Sequence, residues 1–271
     1  MNLHQCILTG NDCYKSGRTI VPQGIMVHST AANNPYLKRY VQPDDGLLGK
    51  NLWGTDWNRS GVGACVHAFI GKLEDGTIAT YQTLPWTMRG WHCARSGNDT
   101  HISFEICEDE TTDKAYFNSV YREAVEFCAY LCKRFSFDPL KPGVIVDHSE
   151  GNAMGIASAH SDVGHWFPKL GKTMDDFRRD VEREMKGEID MTAEEFRKIC
   201  KEVAETAVKE ATNGNNSGPG NSKWSEEATE WAKETGLVDG FGGDNYGWGK
   251  LLTREQFVTI LYRFYKMLGE Q

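Results

Sequence analysis

The stretch ATNGNNSGPGNSK, residues 211–223, rules out one continuous globule. It consists mainly of Gly, Asn, Ser and Pro and has no apolar anchor, so it reads as a flexible linker. A chain of 271 residues interrupted there leaves a long unit before it and a short one after it. Domains run roughly 100–200 residues. The expected division is therefore a main domain over 1–187, a helix and linker over 188–223, and a small module over 224–271. Just ahead of the linker, residues 191–211 (MTAEEFRKICKEVAETAVKEA) read as a helix. Thr192 and Glu195 form a capping box, and Phe196, Ile199, Val203, Ala207 and Val208 recur at helical spacing. Its apolar surface is small, which suits a stalk, a self-associating segment or a solvated spacer.

Before residue 187, strand-like and helix-like patterns alternate. GIMVHST, ACVHAFIGKL, TIATYQTL, HISFEICE and GVIVDHS are short β-branched or alternating runs and predict strands. The segment KLEDGTI carries an Asp-Gly hairpin signal between two of them. Residues 117–135 predict a helix with Val120, Ala124, Phe127, Cys128 and Leu131 on one face, and residues 173–187 predict another that ends at Gly187. The expected fold class is α/β, with a central mixed β-sheet flanked by helices, followed by a small, mostly helical C-terminal module. In that module KWSEEATEWAKETGLVDGF predicts one amphipathic helix, with Trp224, Ala228, Trp231 and Ala232 on one side and Gly236 ending it. LTREQFVTILYRFYKML predicts a second, capped by Thr253 and Gln256. So small a unit buries little core alone, which favours docking or pairing with a second copy.

Composition narrows the function. The chain is 39% hydrophobic and 25% charged, and its net charge of −8 gives nucleic acid no basic surface to bind. No apolar run approaches the about 18 residues needed to span a membrane. The N-terminus MNLHQCILTGNDCYK shows neither a basic region nor an apolar one of secretory type, so synthesis in the cytoplasm is expected. The 8 cysteines include no CxxC pair and no zinc-finger spacing, and Cys107, Cys128 and Cys132 fall inside apolar patterns. Reduced thiols that pack as small hydrophobes are the expectation.

Histidine is the residue type with an unusual distribution. His28 follows the apolar run Ile-Met-Val, and His148 follows Val-Ile-Val-Asp. His67, His92 and His101 fall at or near other strand ends, and His160 and His165 lie in the loop SAHSDVGHWFP with Asp162. Two histidines from neighbouring strand ends and a carboxylate from a following loop can make a three-ligand zinc site that keeps its fourth position for water. Spacing leaves a second triplet open: His148, His160 and His165. The HExxH helix of common metalloproteases does not occur.

Taken in order, MVHST, VHAFIGKLEDGTI, GWHC, ISFEI and DHSEG…SAHSDVGHWFP resemble the zinc-dependent N-acetylmuramoyl-L-alanine amidases of the type-2 amidase, peptidoglycan-recognition-protein-like superfamily. The similarity spans roughly residues 20–187 and is strongest to endolysins of phages and prophages of Gram-positive bacteria. The resemblance implies Zn2+ as cofactor, held by His28, His148 and Asp162, with Val163 where the family commonly has proline. It implies that His160, two residues before the third ligand, steadies the oxyanion of the tetrahedral intermediate, a contribution of about 3–4 kcal/mol per donor. It also implies Glu105 as general base, because the tyrosine some members carry before the strand histidine is Val66 here. His67, His92 and Trp91 are expected to line the substrate cleft. The C-terminal segment, through WAKETGLVDG and LTREQFVTILYR, resembles a degenerate S-layer-homology module, in which Tyr246, Trp248 and Phe241 form either core or a glycan-stacking patch.

These readings imply a peptidoglycan hydrolase that cuts the amide between N-acetylmuramic acid and L-alanine. The expected partner is bacterial peptidoglycan, and homo-oligomers would form through the 191–211 helix or the C-terminal module. Release from the cytoplasm to the wall during host lysis is the expected setting. Two rivals differ in class: a recognition protein that holds muropeptide without cutting it, and an amidase that acts on soluble muropeptides in wall recycling.

Overall fold

A computed structural model of the protein describes residues 1–109 and 113–187, the helix at 226–234, and isolated positions beyond it. The chain divides into two compact units, Met1–Gly187 and Glu188–Gln271. In the first, β1 (Leu3–Gln5), β2 (Gly24–Ser29), β3 (Ala68–Lys72), β4 (Ile78–Gln82), β5 (His101–Ile106) and β6 (Ile145–Asp147) form one sheet. Their order is β1-β4-β3-β5-β2-β6. Only β3 and β4 run antiparallel, and the other neighbours are parallel. Around them lie α1 (Asp12–Lys15), α2 (Lys114–Phe135), α3 (His148–Ala153), α4 (Val163–Trp166) and α5 (Met174–Lys186). This is the mixed α/β architecture expected from the alternating patterns. The antiparallel pair is joined at the predicted Asp75-Gly76 signal: Leu73 N–H donates to Thr77 C=O, and Gly76 takes a φ of 88° that suits glycine.

Strand alternation gives the sheet two unlike faces. Ile25, Val27, Ala68, Ile70, Ile102, Phe104 and Ile106 point to the side covered by α2 and α5. There they meet Val120, Ala124, Phe127, Cys128 and Leu131, the helix face read from the sequence. Burying each large apolar side chain in such a layer contributes about 1.5–3 kcal/mol. On the opposite face, over β3 and β4, Phe69 and Tyr81 pack with Leu37, Tyr40, Val41 and Leu48. Over β2 and β6 a smaller cluster of Met26, Val146, Cys93 and Ala157 closes the surface. Between these two clusters, His28 and Glu105 stand side by side in register. That gap in the apolar cover is where the site forms.

Several expectations are corrected. His148 does not end a strand. β6 stops at Asp147, which caps α3, so His148 is the first helical residue. ACVHAFIGKL contributes only Ala68–Lys72, because Cys65 leaves the sheet to bridge with Trp91. The long helix starts a turn earlier than read, at Lys114, since Asp113 caps it by accepting from Ala115 and Tyr116 N–H. β1 and the short α1 and α4 carry too few residues for a hydrophobic period and were not expected. β1 is tied to α2 through the buried Glu123, which accepts from Asn2 N–H (2.8 Å) and from Thr80 Oγ1 of β4 (2.7 Å). Cys6, Cys13, Cys65, Cys93, Cys107, Cys128 and Cys132 are free, and all but Cys6 are buried.

In the second unit, α6 (Glu226–Glu234) falls within the first predicted C-terminal helix and buries Thr229 and Ala232. Residues 256, 259, 260 and 263 are helical, within the second. The 191–211 helix, the 211–223 linker, Phe241, Tyr246 and Trp248 lie outside the described residues. Among the described residues no helix is long and apolar enough to cross a membrane.

Candidate metal centre

Three elements deliver three donor atoms to one point. β2 carries His28, the start of α3 carries His148, and Asp162 caps α4. His28 Nδ1 lies 2.7 Å from Asp162 Oδ2, His148 Nδ1 lies 2.9 Å from the same oxygen, and the two Nδ1 atoms are 3.1 Å apart. Among the described residues this is the cluster with metal-binding geometry. Asp162 reaches it in a backbone conformation unusual for a side-chain-bearing residue, φ 40° and ψ −126°. Strain of that kind persists where surrounding structure over-determines it.

The outer nitrogens identify what the inner ones are for. His28 Nε2 lies 3.0 Å from His92 Nδ1, and His148 Nε2 lies 3.1 Å from Ser158 Oγ. With those Nε2 atoms protonated and donating outward, both Nδ1 lone pairs turn inward beside a carboxylate oxygen. Burial holds His28 below the ordinary histidine pKa despite its Asp162 contact. Burial also pushes the Asp162 carboxyl upward, but the close His148 and His28 imidazoles more than reverse this and leave it below the usual range. A neutral imidazole and a carboxylate of this kind are deprotonated ligands that await a cation. A tetrahedral zinc with bonds of about 2.0–2.1 Å separates its ligand atoms by about 3.3 Å, close to this triangle. The donor set fits Zn2+.

The cluster sits in a cavity of about 500 Å³ lined also by Glu105, His92, Trp91, Arg89, His160 and Ser158. Glu105 lies opposite His28 across β2 and β5. Its Oε2 is buried without a hydrogen-bond partner. Burial, and then the negative charges of Asp162 and Glu108, raise its pKa well above the usual carboxylate value. His160 is exposed at the rim, its ring 4.9 Å from that of His148. His92 accepts at Nδ1 from His28, which leaves its buried Nε2 without a partner. Burial and the neighbouring histidines push the His92 pKa well down.

His67 stands apart from the cavity lining. Its Nδ1 accepts from Ser103 N–H (3.0 Å), its Nε2 donates to Met88 C=O (2.8 Å), and burial lowers its pKa to about 4. The alternative triplet with His165 is not assembled, because His165 Nε2 engages Glu108 Oε2 at 3.1 Å. The sequence reading passed over Ser158 and Asn98. Asn98 Oδ1 accepts from both His92 and Cys93 N–H (2.9 and 3.0 Å) and so sets the wall that carries His92. Arg89 is held by Asp99 at 2.5 Å. Hydrogen-bonding supports of this kind leave no periodic signal. Only the SAHSD loop, which holds Ser158 beside His160 and Asp162, hints at one.

A triad of imidazole, imidazole and carboxylate on the open face of a mixed sheet, with an orphaned glutamate beside it, defines a hydrolase-type metal centre. The chain belongs to the N-acetylmuramoyl-L-alanine amidase family, whose Amidase_2 model matches residues 17–165, more than half its length. No curated protein sequence matches it. Among solved structures, the Staphylococcus aureus hydrolase AmiA in complex with its ligand is similar at 18% identity and TM-score 0.48, covering 68% of this chain and 82% of that one. The catalytic domain of XlyA is similar at 23% identity and TM-score 0.45, covering 67% and 99%. A mutant endolysin from Bacillus subtilis is similar at 22% identity and TM-score 0.42, covering 67% and 99%.

Proposed function

We propose that this amidase is a zinc enzyme that hydrolyses the bond between the lactyl group of N-acetylmuramic acid and L-alanine in bacterial peptidoglycan. The observation that carries the reading is the convergence of His28 Nδ1, His148 Nδ1 and Asp162 Oδ2 beside the partnerless Glu105. His28, His148 and Asp162 would hold the ion, and zinc bound there supplies Lewis acidity towards the scissile carbonyl and towards water. Glu105 takes a proton from the attacking water and returns it to the leaving amine of L-alanine. Burial raises its proton affinity above that of an ordinary carboxylate, which suits a group that must accept a proton and then donate it. His160 at the rim donates to the oxygen on which negative charge develops. Ser158 and His92 keep the ligand imidazoles oriented from outside. A protein that only recognises muropeptide has no use for a buried carboxylate oxygen left without a partner beside its metal ligands, which favours catalysis.

The setting we infer is that of an endolysin, which waits in the cytoplasm and reaches the wall during host lysis. The C-terminal segment, resembling an S-layer-homology module, would hold the catalyst at the polymer and raise its local concentration. Digestion of purified cell walls tests the chemistry. New L-alanine amino termini without new reducing sugars are expected, and reducing sugars alone, or no release by zinc-loaded protein, would sink the proposal.

A further inference from the structure

We infer that Glu108 and His165 are a positioning pair that holds the metal ligands at their working separation. The inference rests on the metal-site reading above. Glu108 is a carboxylate only 4% exposed, just beyond the end of β5. Its Oε1 accepts from Ala31 N–H at 3.1 Å, and its Oε2 accepts from His165 Nε2 at 3.1 Å. Its own N–H donates to Thr30 Oγ1 at 3.1 Å, and its C=O accepts from Asn34 N–H at 2.9 Å.

Each of these partners stands close behind a ligand. Ala31 follows His28 by three residues, in a turn with φ 47°. His165 follows Asp162 by three, on the short helix that Asp162 caps with φ 40°. Both conformations disfavour side-chain-bearing residues, and neither is imposed by glycine. One buried carboxylate therefore braces two strained turns, one oxygen for each. A four-residue helix such as α4 has little intrinsic stability with which to hold Asp162 in place. Packing contributes from the other side: a Cβ on Gly164 would come within 3.3 Å of Asp147 Oδ2, so α4 also lies tight against the start of α3. Removing the link from His165 to Glu108 frees α4 on the side facing β2 and lets Asp162 drift from the two imidazoles. Neither residue touches the reacting atoms, and Glu108 reaches Glu105 only through its charge. Their effect is on metal affinity and ligand geometry.

The test uses the full chain, stripped with a chelator and reloaded with zinc or cobalt(II), for the parent, His165→Ala, His165→Gln and Glu108→Gln. Zinc affinity is measured by competition with a chromophoric chelator, the ligand field by the visible absorption of the cobalt protein, and folding by the melting temperature of the metal-free form. His165→Ala is expected to weaken zinc binding roughly 10–100-fold. Its cobalt bands should shift or lose intensity while the metal-free melting temperature stays near that of the parent. His165→Gln keeps an amide donor and should recover most of the affinity. Unchanged affinity and cobalt spectrum in His165→Ala would overturn the inference. So would a loss of affinity that merely tracks a loss of metal-free stability in both His165 variants. Should Glu108→Gln fail to fold, the two His165 variants still decide. A parent chain that takes up no zinc overturns the metal reading itself and the positioning role with it, an outcome separable from the others because the parent alone reveals it.

Discussion

Between Phe104 and Ile106, strand alternation turns Glu105 away from the α2 layer and towards His28. That one-residue difference in facing separates a core position from a chemical one, and it was legible in ISFEI from the period alone. Glu105→Gln should fold and bind zinc like the parent while wall hydrolysis falls by about 10²–10⁴-fold, the usual contribution of a general base. Zinc content by elemental analysis and amino-terminus release measured on the same sample check this, and turnover at the parent rate would remove Glu105 from the mechanism. The ligand set was legible differently. His28, His148 and Asp162 each look ordinary alone, and spacing left a rival triplet that includes His165. The structure separates the two, because His165 is spent on Glu108. Ser158, Asn98 and Glu108 were not legible as supports, since each acts through hydrogen bonds that follow no helical or strand period.

Two N-caps of the same arrangement show how elements differ in consequence. Asp147 caps α3 and forms a capping box with Glu150, and Thr173 caps α5 and forms one with Asp176. The first sets the direction in which His148 leaves the sheet, whereas the second starts a helix that carries no metal ligand. Thr173→Ala should lower unfolding free energy by about 1 kcal/mol, with zinc affinity unchanged. Asp147→Ala should lower stability by a comparable amount and weaken zinc binding as well. Urea denaturation with zinc titration of both variants tests the contrast, and equal zinc affinity in the two would refute it. Element by element, the sequence signalled the long helix through its buried face and the hairpin through Asp-Gly. It did not signal β1, whose Leu-His-Gln has no alternation to read. It overextended the strand before His67, because the bridge from Cys65 to Trp91 is a tertiary choice.

At the scale of the whole molecule, buried histidines make stability depend on pH. His67 is fully buried with its pKa lowered to about 4, and His101 is likewise lowered by burial. Between an unfolded value near 6.5 and these folded ones the unfolded chain binds more protons, so stability is complete above about pH 6.5 and drains as the pH falls. His67 alone contributes up to roughly 3 kcal/mol of this loss on approach to pH 4. Denaturation of chelator-treated protein at pH 7.5 and pH 5 should show a lower midpoint in acid, and His67→Gln should flatten the slope; a midpoint indifferent to pH would contradict it. Strand order also governs how the molecule comes into being. β2 lies between β5 and β6, whose residues are 101–106 and 145–147, and Asp162 comes later still. While a ribosome is extending the chain, His28 rides on a strand with neither neighbour yet made. Hydrolytic competence thus waits on translation through the whole catalytic unit, and an interrupted nascent chain is chemically silent.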